Sequence, residues 1–276
     1  MNSLLDPKYP TVVVGGFGSN HECMSHVAGQ LQATCEQPVT GMTTHEMRAA
    51  GEKFWDCIEG TNVIAYSGSG PYIQRGVVKG RSAPRTMTFA APPEVVSRYA
   101  AIMGFTQAAR RRVSPSERSS LGVATAFVQE VGRHPVESWR LVHELRRFNQ
   151  IAGALALQSV VPRVNVVVPK EDEIFPRHIV PLSYGQTDQV GVRYVLVEGG
   201  HSRFIDDPVG MLCSAEMAPF AVIDHETFAR DIPDQLLQDK NNAVHRRLGE
   251  VAAAARAWSM RRISPFHTAK PLGEAV

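Results

Sequence analysis

The chain has 276 residues, a formal net charge of +2 and an apolar fraction of 43%. That length suits one large domain or a domain with an insertion, and the near-neutral charge gives no general case for a nucleic-acid partner. Cys23, Cys35, Cys57 and Cys213 form no Cys-x-x-Cys pair, and the ten histidines form no His-Glu-x-x-His or His-x-His cluster, so the usual zinc and thioredoxin-type sites are excluded. No metal and no cofactor is expected. The cysteines read as reduced, buried residues of a cytoplasmic protein, with a disulfide as the alternative. Met1-Asn2-Ser3-Leu4-Leu5-Asp6-Pro7-Lys8 lacks a basic start followed by a signal-type apolar run. No stretch approaches the ~20 apolar residues that span a bilayer.

In chain order, Thr11-Val12-Val13-Val14 is a β-branched run ending in Gly15-Gly16-Phe17-Gly18, as expected of a strand covered on both faces. Met24, Val27, Ala28 and Leu31 then recur at helical spacing behind Asn20, a capping residue type. Gln37-Pro38-Val39-Thr40 reads as a second short strand, and Met47, Ala50, Phe54 and Cys57 mark another helix. Asn62 to Tyr66 is an apolar strand that runs into Ser67-Gly68-Ser69-Gly70-Pro71, with helical spacing of Ile73, Val77 and Val78 after it. Further strands are expected at Arg85 to Ala90, Val164 to Val168 and Tyr194 to Val197. Strands alternating with helices call for an α/β fold with a mostly parallel sheet. In such a sheet the ligand site lies at the carboxyl ends of the strands.

Residues 94–149 break the alternation. Their apolar positions, including Ala100, Met103, Phe105, Phe127, Trp139 and Leu145, follow a helical pattern, and nine arginines face five glutamates. Lying between two strands, the segment is expected to form a helical cap over the strand ends. The core then comprises residues 1–93 and 150–276, with a helical extension from about 211. Val244, Leu248, Val251, Ala255 and Trp258 make one apolar stripe there. The stripe would pack on the sheet or serve self-association as a homo-oligomer.

Four landmarks appear in order after strands: Gly15-Gly16-Phe17-Gly18, Ser67-Gly68-Ser69-Gly70, Asp172-Glu173-Ile174-Phe175-Pro176, and Gly199-Gly200-His201-Ser202-Arg203-Phe204 followed by Asp207-Pro208. On these the chain resembles the α/β-hydrolase superfamily over roughly residues 11–208. The resemblance implies Ser69 as nucleophile, His201 as general base and Asp172 as the acid that orients the imidazole. It also implies an oxyanion hole from the backbone N–H groups of Phe17 and Gly70. Met103, Phe105 and Trp139 are candidate pocket residues, with a place in the cap core as the plainer reading. Against the family pattern, the elbow reads Ser-x-Ser-x-Pro, and Gly15 stands where many members carry histidine. The expected sheet has six strands, lacks the family's first two, and so has an open edge that the C-terminal extension would shield.

Two registers fit the elbow. With Ser67 as nucleophile the flanks are Ala65 and Ser69, which leaves only Thr61 to Ile64 for the strand before the small flank; Ser69 is therefore preferred. Glu171 and Glu173 are rival acids, whereas His21, His26, His45 and His143 read as ordinary helix residues. The implied activity is a serine hydrolase that forms an acyl-enzyme on a small carboxylic ester, thioester or lactone. Acyltransferase, C–C hydrolase or lyase chemistry on the same triad, or ligand binding with little turnover, are the alternatives.

Overall fold

The computed structural model describes residues 4–16, 19–93, 150–172 and 191–224. The cap region, the C-terminal stripe, Phe17, Met103, Phe105 and Trp139 all lie outside these residues. Seven strands form one sheet: β1 (Thr11–Val14), β2 (Val39–Met42), β3 (Asn62–Tyr66), β4 (Thr86–Ala90), β5 (Arg163–Pro169), β6 (Val192–Val197) and β7 (Phe220–Ile223). Their order is β2-β1-β3-β4-β5-β6-β7. All pairs are parallel except β6 with β7.

Burial on both faces explains the continuous β-branched runs. Alternate residues of each central strand enter opposite cores. Val12, Val63, Ala65, Met87, Phe89 and Val166 belong to one. Helices α2 (Thr44–Ala50), α3 (Glu52–Ile58), α4 (Gly70–Val78) and α5 (Gln150–Leu157) contribute Met47, Phe54, Trp55, Ile73, Val77 and Leu155 to it. Val13, Ile64, Tyr66, Val167 and Val195 belong to the other. There α1 (His21–Gln32), α6 (Arg203–Asp206) and α7 (Pro208–Met217) bring Met24, Val27, Leu31, Phe204 and Met211.

The helix starts follow from local chemistry. Asn20 accepts a hydrogen bond from the Cys23 N–H, capping α1 as expected. Thr43 and Glu46 form a reciprocal capping box at the start of α2. The Thr43 backbone N–H holds the Glu46 carboxyl below its ordinary pKa, with His21 assisting. Pro71 sits in the first turn of α4, where a missing N–H costs nothing.

Two sequence expectations change. The sheet has seven strands, not six: the chain after α7 returns as β7 and pairs antiparallel with β6. The described part of the C-terminal extension therefore adds an edge strand on the side opposite β2, and does not shield the β2 edge as expected. Nor are the four cysteines buried. Cys57 and Cys213 are exposed, Cys23 and Cys35 are half-buried, and no disulfide joins them. His21, His26 and His45 are exposed helix residues. Among the described residues no helix is long and apolar enough to cross a membrane.

At the amino end of the sheet, fully buried Asn62 ties the segment before β1 to the core. Its amide donates to the carbonyls of Asp6 and Tyr9 and to the Thr11 hydroxyl, while its oxygen accepts from the Asp6 N–H and the Thr86 hydroxyl. Removing one side chain strands several buried partners at once. Asn62→Ala should lower the unfolding free energy by about 3 kcal/mol in urea denaturation; a loss under ~1 kcal/mol would show that water replaces the amide.

Candidate active site

Four strand ends supply the site, and the ladder register brings them to one rim. Tyr66 pairs with Ala90, Ala90 with Val167, and Val167 with Val195. The chain leaving β3, β5 and β6 therefore emerges on the same side.

Beyond their last paired residues β5 and β6 stay joined. The Lys170 N–H donates to the Val197 carbonyl at 2.8 Å and the Glu171 N–H to the Gly199 carbonyl at 3.1 Å. Gly199 makes this course possible at φ +98°, where a side chain would be strained and would meet Arg203. The two loops thus travel together and deliver Asp172 to His201. The Asp172 Oδ2 to His201 Nδ1 distance is 2.8 Å, with both side chains almost wholly buried. Glu171, a rival acid by sequence, is exposed; Glu173 lies outside the described residues.

The imidazole meets Ser67, not Ser69. His201 Nε2 lies 3.0 Å from Ser67 Oγ. A carboxylate only accepts, so Nδ1 carries the ring proton toward Asp172, and Nε2 accepts the Ser67 hydroxyl. The hydroxyl of Ser69 is turned away, its single proton shared between the carbonyls of Tyr66 at 2.9 Å and Val14 at 3.1 Å. The expected register was therefore two residues late. The strand-length argument fails because Ala65 and Tyr66 remain paired in β3, so the strand runs to the turn itself. The small flanks are Ala65 and Ser69.

Ser67 adopts φ +52°, a left-handed conformation that costs a non-glycine residue of order 1–3 kcal/mol. This is the sharp strand-to-helix turn that lifts a side chain out of a sheet. The shift of register also moves the candidate oxyanion donor. Gly70 gives its N–H to the Ser67 carbonyl, so it has none to offer. Gly68 follows Ser67 at the start of the 3-10 turn Ser67–Ser69, where the first N–H groups lack helical partners. Opposite, the turn after β1 presses on the serine: a Cβ built on Gly16 would lie 2.5 Å from the Ser67 Cβ.

Tyr66 was not singled out from sequence. Its hydroxyl donates to the His201 carbonyl at 3.0 Å, and its ring packs against the imidazole and stacks on Phe204 at 5.4 Å. The residue before Ser67 thus supports the backbone that carries the histidine. An aromatic residue with a polar tip at the end of a buried strand was the only sequence signal for it.

No protein-family profile and no curated protein matches the chain. Solved structures do. A putative non-heme bromoperoxidase of Mycobacterium tuberculosis is 17% identical with a TM-score of 0.47, over 76% of this chain and 91% of that one. An alpha/beta hydrolase enzyme from a Medee basin deep-sea metagenome library is 12% identical with a TM-score of 0.48, over 76% and 88% respectively. A structure reported with carboxylesterases of Nitrososphaera gargenis is 13% identical with a TM-score of 0.46, over 75% and 88%. Strand order and the turn at Ser67 define the architecture on their own: this chain has an α/β-hydrolase fold.

The closeness of Gly16 to Ser67 yields a test. Its neighbour is a Cβ, which cannot swing aside, so Gly16→Ala must displace the turn or the serine. Activity against an ester substrate should fall on the order of a hundredfold, measured beside a circular-dichroism spectrum that stays native. Unchanged turnover would mean that the turn yields without cost to the site.

Proposed function

We propose that this protein is a serine hydrolase that cleaves small carboxylic esters, thioesters or lactones through an acyl-enzyme, with Ser67 as nucleophile, His201 as general base and acid, and Asp172 as orienting acid. The observation that carries the reading is the continuous buried chain from Ser67 Oγ to His201 Nε2 and from His201 Nδ1 to Asp172 Oδ2.

A serine hydroxyl is a weak nucleophile until a base removes its proton. As Ser67 Oγ attacks the carbonyl carbon, its proton passes to His201 Nε2, and Asp172 stabilises the imidazolium that forms. The carbonyl oxygen becomes an oxyanion, for which the Gly68 N–H and the turn after β1 are the proposed donors. The tetrahedral adduct collapses, the carbon–oxygen or carbon–sulfur bond to the leaving group breaks, and His201 returns the proton to that group. Water then attacks the acyl-enzyme, again losing a proton to His201, and releases the acid and the free Ser67 hydroxyl. Nothing in this sequence calls on a metal or cofactor. The serine nucleophile supports attack at a carbonyl carbon, and the resemblance of the elbow to that of the α/β-hydrolases supports esters, thioesters or lactones as the acyl donors.

A fluorophosphonate probe should label Ser67 in the native protein, identified by peptide mass spectrometry. Ser67→Ala should lose labelling and at least ~10³-fold in p-nitrophenyl ester turnover. Labelling that persists in that variant would overturn the assignment.

A further inference from the structure

The hydroxyl of Ser69 has no part in the proton relay, yet it is fully buried and occupied. Its two acceptors belong to different strands. The Val14 carbonyl is the last of β1, immediately before Gly15 and Gly16, and the Tyr66 carbonyl is the last of β3, immediately before Ser67. One hydroxyl proton, shared between the two carbonyls, therefore bridges the two strands where their ladder ends.

The turn after β1 is suspended from both sides. On the outer side the Gly15 N–H donates to the Met42 carbonyl at 2.8 Å, and the Thr44 hydroxyl donates to the Gly15 carbonyl at 2.6 Å. A further bond runs from the Ser19 N–H to the Gly16 carbonyl at 3.1 Å. On the inner side, toward Ser67, the Ser69 hydroxyl is the side-chain tie found among the described residues. The tie matters because the turn and the serine are already in contact, with the Gly16 Cβ position 2.5 Å from the Ser67 Cβ. The elbow pattern ordinarily carries glycine here, which has no hydroxyl to offer.

We propose that Ser69 is a positioning residue: its hydroxyl fastens the carboxyl end of β1 to the elbow and so sets the distance between the Gly15 and Gly16 turn and the reacting oxygen of Ser67. The inference rests on the triad reading above. It acts on the transition state, because a developing oxyanion is sensitive to donor position in a way that ground-state binding is not.

The test compares the wild-type protein with Ser69→Ala, Ser69→Cys and Ser67→Ala, using p-nitrophenyl acetate, a fluorophosphonate probe and thermal melts. Ser69→Ala should still be labelled, at Ser67, with kcat reduced about tenfold or more and KM within about twofold, at a temperature well below its melt. Ser69→Cys keeps a weak donor of similar shape, and its kcat should fall between the two; it also serves if the alanine variant does not fold. A wild-type kcat in a folded Ser69→Ala or Ser69→Cys protein, or a loss confined to KM or to melting temperature, overturns the positioning role while leaving Ser67 as nucleophile. Labelling that survives in Ser67→Ala overturns the triad reading itself, and this inference with it.

Discussion

The parallel register of the central strands is the constraint on which the rest depends. Ser67 and His201 are 134 positions apart, and Asp172 stands 29 before His201. No local preference brings such residues together. Backbone pairing does, by fixing where each strand stops: β3 ends at Tyr66, β5 at Pro169 and β6 at Val197, all facing one rim. The pairing is specified in turn by apolar residues on both faces, since a slip by one residue would exchange the two cores.

On that base the site is assembled from short polar contacts that each join two loops. The bonds of Lys170 and Glu171 to the β6 side bring the loops that carry Asp172 and His201 together. Tyr66 holds the histidine loop to the elbow, and Ser69 holds the elbow to β1. The Tyr66 and Ser69 contacts are buried, where an unpaired partner is costly, so that part of the arrangement is rigid without being large. The strained backbone at Ser67 fits the same picture, because surrounding contacts over-determine a conformation the residue would not choose alone.

Much of this was legible in the amino-acid sequence. Six strands could be placed because β-branched runs between glycine-rich turns have few other uses, and Asp172 and His201 stood out because each follows such a run. The elbow was misread by two residues, and the cause is physical. Serine is both small enough to flank the turn and able to act in it, so Ser67 and Ser69 exchange roles without altering the pattern. What separates them is the backbone: the left-handed φ at 67, and the pairing of Ala65 and Tyr66 in β3. β7 escaped for a different reason. Four apolar residues, Phe220 to Ile223, are too few to show a period, and only their antiparallel match to β6 makes them a strand. Gly16 lay within one of the four landmarks, but its contact with Ser67 shows only in the structure.

The bond from the Tyr66 side chain to the main chain of His201 carries one more implication. The strand residue next to the elbow cannot loosen without releasing the histidine loop, and that loop cannot lift without uncovering the ring of Tyr66. Amide protons around residues 67–70 and 201–204 should therefore exchange with deuterium as one cooperative unit, opening together, so that thermal fluctuation interrupts the site as a whole before it misaligns its parts.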